Sequence, residues 1–351
     1  GMRFTAFFHP LARIATVTML AALTLAGCGS TTPARPDAGT QPALSSSAPP
    51  VRIGIALGGG AAKGFAHIGV IKMLEANGFA PAVVSGTSAG SVVGALYASG
   101  MNAFEMQEKA VALDEAKIRD LQLSSGGLVL GQKLEDYVNE QVRRKPLEQM
   151  AKPFVVVATR LEDGERTVFA RGNTGQAVRA SSSVPGVFQP VTIGKYHFVD
   201  GGIVSPVPVD AARQLGADIV IAVDISNKAR GQTPGDMLGT LGQSIAIMGQ
   251  KLGQAELARA DVVIRPQVLD IGSADFSQRA NAILEGEKAA LAVMPQIRER
   301  VAQLQAERAN AARAAQQKAA EAQYQTCLEK RSSLQKLVDM ASLGTSCTPA
   351  K

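Results

Sequence analysis

Twice in succession the chain runs from a short apolar segment into small residues and then into a helical pattern. Arg52-Ile53-Gly54-Ile55-Ala56-Leu57 enters Gly58-Gly59-Gly60, after which Phe65, Ile68, Ile71 and Leu74 recur at helix-like spacing until Asn77-Gly78 ends the pattern. Pro81-Ala82-Val83-Val84 then leads into Gly86-Thr87-Ser88-Ala89-Gly90, followed by a second helical stretch holding Val92, Val93 and Leu96. A β-α-β-α opening of this kind predicts an α/β fold with a mostly parallel sheet covered on both faces.

The alternation continues down the chain. Residues 101–150 are helix-like with a break at Ser124-Ser125-Gly126-Gly127, and Phe154 to Thr159 reads as another buried strand. Asp163-Gly164 marks a hairpin turn into Arg166-Thr167-Val168-Phe169. Tyr196 to Val199, ending in Asp200-Gly201-Gly202, and Asp218 to Val223 are further strands, with a helix from about Pro208 to Leu215 between them. There is no internal repeat, so residues 51–290 are expected to form one domain, with an Ala-rich helix and tail at 291–351. In that helix Ile297, Val301 and Leu304 make a narrow apolar stripe, suited to resting on the domain or to binding a partner protein.

The first residues have a different composition. Arg3 and Arg13 precede an apolar run from Ile14 to Ala26 that is too short to span a bilayer comfortably and has the layout of a secretory signal. The run closes in Leu25-Ala26-Gly27-Cys28, which resembles the lipobox of bacterial lipoproteins, so 1–28 is expected to be a lipoprotein signal and Cys28 the lipidated residue. Gly29 stands where an aspartate would resemble an inner-membrane retention signal, which favours a lipid-anchored place in the bacterial cell envelope, at the outer membrane facing the periplasm. Residues 29–50 are rich in Ser, Thr, Pro, Ala and Gly and read as a flexible tether. Cys327 and Cys347 are then left as either a disulfide pair or two thiols. The net charge of +6 is scattered, without a dense basic run interleaved with aromatics, so the pattern is not that of a nucleic-acid binder.

The glycine loop has two phosphate readings, and both fail. A dinucleotide site needs an acidic residue at the end of the second strand, where this chain has Val84-Ser85-Gly86. A P-loop needs Gly-Lys followed by Ser or Thr, and Lys63 is followed by Gly64. Gly86-Thr87-Ser88-Ala89-Gly90 instead fits G-x-S-x-G, the strand-to-helix elbow that lifts a serine hydroxyl clear of a sheet, with Gly86 and Gly90 small because larger residues would clash. Histidines are scarce. His9 lies in the signal, His67 in the first helix as a packing residue, and His197 alternates away from Asp200 on its strand, so a Ser-His-Asp triad is poorly supplied. Asp200 falls at the carboxyl end of a strand, the edge where open α/β sheets bind ligands, although Asp-Gly-Gly also reads as a simple turn. No His, Cys, Asp or Glu cluster has metal-ligand spacing, and neither a metal nor an organic cofactor is implied.

Taken in order, "IALGGGAAKGFAHIGV", "GTSAG" and "VDGG" resemble the patatin-like phospholipases, from about residue 52 to 225. The resemblance implies a three-layer α/β/α fold and a lipid acyl hydrolase acting on membrane lipids. It makes Ser88 the nucleophile, Asp200 its proton acceptor, and Gly58, Gly59, Gly60 and Ala61 the oxyanion loop. Lys63, Gly64, Gly201 and Gly202 would support that site. Where the family commonly has four glycines and an arginine, this chain has Ala61 and Lys63. With ordinary backbone angles Ala61 would still offer its N–H, and Lys63 keeps the charge without the planar fork. Residues Arg179 to Gly186 also resemble a family segment near the site, in a supporting role, and Leu128 to Gly131 would line an acyl pocket or pack the core. Two other readings stay open: an acyltransferase using the same acyl-enzyme, and a non-catalytic envelope lipoprotein.

Overall fold

The computed structural model describes residues 48–114, 131–229 and 231–338. The expected signal and nearly all of the tether, Cys28, Leu128 to Leu130 and Cys347 lie outside the described residues. Cys327 is disulfide-bonded.

β1 (Ile53–Leu57) is buried at every position, as a central strand covered on both faces must be. It pairs in parallel with β2 (Val83–Thr87) on one side and β7 (Ile219–Val223) on the other. β7 in turn pairs in parallel with β8 (Val262–Ile264), and β2 with β3 (Phe154–Arg160). The remaining pairings are antiparallel: β3 with β4 (Arg166–Phe169) and β6 (Tyr196–Asp200), and β6 with β5 (Val191–Ile193).

The register around β3 positions the site. Residues 156–159 of β3 pair with β4, which occupies one edge. β2 pairs with residues 154–157 and β6 with 158–160, so both must use the opposite edge. Thr87 lies beside Val157 and Asp200 beside Ala158. Strands β2 and β6 therefore meet end to end, with β3 as the splint.

Helices cover both faces. On one, α1 (Ala66–Ala76), α2 (Ala89–Ala98), α3 (Ala103–Val111) and α8 (Arg279–Val338) share a core with Ile53, Ile55, Leu57, Ile219 and Ile221. On the other, Val209 and Ala212 of α6 (Val209–Gln214) and Leu257 of α7 (Met237–Leu257) pack on Ala56, Val83, Val220 and Ala222. The described residues thus form the three-layer α/β/α arrangement with a mostly parallel sheet. Two further helices, α4 (Gln132–Gln141) and α5 (Thr174–Ser181), lie before β3 and before β5.

The boundary expected at residue 290 falls inside α8. Ala282, Ile283, Ala290, Met294, Ile297 and Val301 are all buried in the domain core, so the apolar stripe rests on the chain's own domain. The distal half of α8 is Ala-rich, while the proximal half packs on α1 at close range. A Cβ at Gly69 would sit 1.9 Å from the Ile283 carbonyl oxygen, and one at Gly286 would sit 2.0 Å from that of Ala66. Lys72 and Glu287 pair at 2.7 Å beside this crossing, and Arg308 donates to the carbonyls of Pro49 and Pro50. Gly286→Ala is expected to push the helices apart and lower stability by about 1–3 kcal/mol, measured by urea unfolding.

Candidate active site

A single residue separates β2 from α2. Ser88 has φ +53° and ψ −124°, outside the comfortable region for a residue with a side chain. The turn is possible because a glycine stands two residues to either side of it. A Cβ at Gly90 would lie 2.0 Å from the Leu57 carbonyl oxygen, and one at Gly86 would lie 2.6 Å from that of Gly90. The Ser88 N–H donates to Ser181 Oγ at 2.8 Å, and Ser181 in turn donates to the Val157 carbonyl. The Ser88 carbonyl accepts from Ser91 Oγ at 2.6 Å.

Asp200 faces this elbow from the end of β6. Ser88 Oγ donates to Asp200 Oδ2 at 2.6 Å, and Gly202 N–H donates to Oδ1 at 2.7 Å. The Asp200 backbone is fixed as well, its N–H donating to the Ser183 carbonyl and its carbonyl accepting from Thr159 Oγ1. Gly201 is required by close approach, since a Cβ there would meet the Val157 carbonyl oxygen at 2.1 Å. Burial raises the Asp200 pKa to about 6, against the opposing pull of the hydrogen bonds from Ser88 and Gly202. At neutral pH it is a carboxylate and a stronger base than an exposed aspartate.

The glycine loop lies against Ser88, and a Cβ at Gly59 would be 3.1 Å from that of the serine. Its expected donors are not equivalent. Gly58 N–H bonds to the Val223 carbonyl and Gly59 N–H to that of Pro206, so neither is free for an oxyanion. Gly60 and Ala61 N–H have no acceptor among the described residues. The expectation of ordinary angles at Ala61 is also overturned: its φ is +53°, left-handed, where glycine is at ease and alanine is strained. Ala61→Gly is expected to raise stability by about 0.5–1 kcal/mol, read by urea denaturation.

His67 is buried at the packing position its helix predicted. Its Nε2–H donates to the Gly58 carbonyl at 2.8 Å, and burial lowers its pKa to about 4, so it is neutral. Lys63 is buried and its Nζ donates to Asn227 Oδ1 at 2.6 Å. Gly64 packs on Ala89, where a Cβ would be 2.8 Å from that of the alanine. His197 is remote from Ser88 in function: it is exposed and engages Glu162 at 2.7 Å.

Three supporting residues escape sequence reading. Ser181 sits in a segment recognisable as near the site, but nothing distinguishes it from Ser182 and Ser183. Thr159 looks like any strand residue. Glu256, deep in α7, accepts from Ser205 Oγ at 2.5 Å and Val207 N–H at 2.6 Å, and burial raises its pKa to about 7. It thereby holds the turn whose Pro206 carbonyl receives Gly59 N–H.

The fold and this site define an α/β domain with a serine elbow facing a strand-end carboxylate. Residues 55–213 match the family model described as Patatin-like phospholipase, and this part of the chain is a domain of that family. An uncharacterized NTE family protein of Mycobacterium tuberculosis is 35% identical over 182 residues, which are 51% of each chain. Patatin-like phospholipase domain-containing protein 6 of Homo sapiens is 32% identical over 184 residues, 50% of this chain and 13% of that one. Lysophospholipase NTE1 of Pyricularia oryzae is 30% identical over 181 residues, 50% and 12% of the two chains. The chain thus spans about half the length of the mycobacterial relative and less of the others. Among solved structures, VipD from Legionella pneumophila aligns with TM-score 0.44 and 16% identity, over 71% of this chain and 67% of that one.

Asp200 binds more protons in the folded chain than in the unfolded one between pH 4 and 6, because its folded pKa is raised from 3.8 to about 6. Its favourable contribution is present below that window and lost above it. Asp200→Asn is therefore expected to raise stability at pH 8 by up to about 3 kcal/mol, with the gain absent at pH 4, as followed by thermal unfolding at both values.

Proposed function

We propose that this chain is a serine lipid acyl hydrolase of the phospholipase or lysophospholipase type, with Ser88 as nucleophile and Asp200 as its base. The observation that carries the reading is the 2.6 Å hydrogen bond from Ser88 Oγ to the buried Asp200 carboxylate, at an elbow flanked by unpaired loop N–H groups. Ser88 Oγ attacks the ester carbonyl carbon while its proton passes to Asp200 Oδ2. The oxyanion that forms accepts from Gly60 and Ala61 N–H, donors fixed in place before the reaction. Collapse breaks the ester bond, and the leaving alcohol takes the proton from Asp200. Water then attacks the acyl-Ser88, giving its proton to Asp200, and the fatty acid departs as Ser88 recovers its hydrogen.

The family of the domain and the names of its relatives support a lipid ester as substrate. The motif Leu25-Ala26-Gly27-Cys28 supports a lipid anchor that keeps the enzyme at an envelope membrane. Cells expressing the chain should incorporate a fatty-acid analogue into it, and Cys28→Ser should abolish the label.

Ser88→Ala and Asp200→Ala are each expected to lower kcat/KM for a phospholipid or short-chain ester by at least about 10³-fold, since dyad members act as a unit. In the parent chain kcat/KM should fall on acidification through about pH 6, where Asp200 takes up a proton. Equal activity in parent and both variants would overturn the reading.

A further inference from the structure

Most of the large apolar side chains on α7 that would be buried in a typical helix are instead exposed. Leu238, Leu241, Ile245, Met248 and Leu252 recur at alternating spacings of three and four, which places them on one stripe of the helix. Of these, Leu238 is 67% exposed and Met248 54%, with Leu241 and Leu252 also exposed, and Met237 at the N-terminus of the same stripe is 84% exposed. The helix packs on the domain along the flank next to the stripe, through Gly253, Glu256 and Leu257.

The stripe borders the site. Leu238 and Leu241 lie against Gly186, where a Cβ would be 3.9 and 3.7 Å from their Cδ2 atoms. Gly186 follows the segment whose Ser183 carbonyl holds Asp200. Further along, Gly249 approaches the Gly202 carbonyl, in the turn whose N–H donates to Asp200 Oδ1. Glu256 clamps Ser205 and Val207. One helix therefore carries an uncovered apolar stripe along both loops that support the carboxylate.

The charge on α7 indicates what covers it. Its ionisable side chains are Lys251 and Glu256, and Glu256 is buried, so Lys251 is the charged group it presents to solvent. By its helical position Lys251 falls at the edge of the stripe, where a long cationic side chain can reach lipid headgroups while its stem lies along apolar surface. An amphipathic helix with apolar residues on one side and a cation at the rim, whose exposed acidic neighbour Asp236 is engaged as its N-cap, complements an anionic bilayer surface. Among the described residues no helix is long and apolar enough to cross a membrane, which fits a helix that lies in the interface.

We propose that α7 is an interfacial docking helix that seats its Leu238-to-Leu252 stripe in the surface of an anionic phospholipid bilayer, bringing the site to lipid esters. The proposal rests on reading the site as a lipid acyl hydrolase, and its test separates the two. The chain contains no tryptophan, so Met248→Trp in a full-length Ser88→Ala background supplies a single emitter on vesicles that cannot be hydrolysed. With phosphatidylcholine and phosphatidylglycerol vesicles bearing brominated acyl chains, its emission should shift to the blue and be quenched. Gln254→Trp, on the far side of the helix and exposed, should do neither. In the catalytically intact full chain, Leu241→Ser with Met248→Ser should lower hydrolysis of vesicle phospholipid at least about tenfold relative to a dissolved short-chain ester, because partitioning follows the apolar area withdrawn from water.

Unquenched Met248→Trp on vesicle-bound protein overturns the proposal, as does an unchanged ratio of the two hydrolytic rates. If the double variant splits a dimer seen by light scattering and no quenching occurs, the stripe belongs to a second copy and the proposal is likewise overturned. If the parent hydrolyses neither substrate, the acyl-hydrolase reading falls, and the tryptophan measurement still decides whether α7 docks.

Discussion

Everything at the site depends on holding Ser88 in a backbone conformation it would not choose. A non-glycine residue at φ +53° costs of order 1–3 kcal/mol, and such strain persists only when the surroundings over-determine it. Here the constraint comes from both sides of the peptide. Ser181 receives the N–H, Ser91 holds the carbonyl, and Gly86 and Gly90 let neighbouring backbone approach closer than any Cβ would allow. The result is a hydroxyl projecting past the end of the sheet, at hydrogen-bond distance from Asp200.

That meeting is a consequence of sheet register. β2 and β6 share one edge of β3, end to end, so the last residue of each faces the other across a gap closed by adjacent β3 residues. Val157 serves both sides, accepting from Ser181 through its carbonyl and pressing against Gly201. A slip of one residue on β3 would reverse which face each side chain occupies. The placing of Ser88 against Asp200 is therefore as rigid as the strand pairing beneath it.

Burial does two jobs at this place. It raises the basicity of Asp200, and it makes the charged form unfavourable to the fold. The same tension appears at Glu256, whose buried carboxyl fastens the 205–207 turn and, through the Pro206 carbonyl, the glycine loop. Polar groups that tie loops to one another thus sit in a dry environment, where each hydrogen bond is stronger and each unmade one more costly.

The sequence by itself determined the layer order and the strand-to-helix elbow at Ser88. Apolar runs without alternation demand a sheet buried on both faces, and G-x-S-x-G between a strand and a helix demands an elbow. Asp200 was legible as a strand-end carboxylate, and only the tertiary structure brings it to hydrogen-bond distance from Ser88. Local pattern could not reveal that Gly58 and Gly59 have their N–H groups occupied, because their acceptors, Val223 and Pro206, lie more than a hundred residues away. Nor could it reveal the left-handed Ala61, the choice of Ser181 among three serines, or the reach of Glu256. The division at residue 290 failed for the same reason, since composition changes along α8 while its packing against α1 begins earlier. Periodicity encodes which face of an element is apolar, and so the sequence fixes elements and layers. Which backbone donors remain free, and which carboxylate meets which hydroxyl, depends on strand register and long-range contacts that only the tertiary structure supplies.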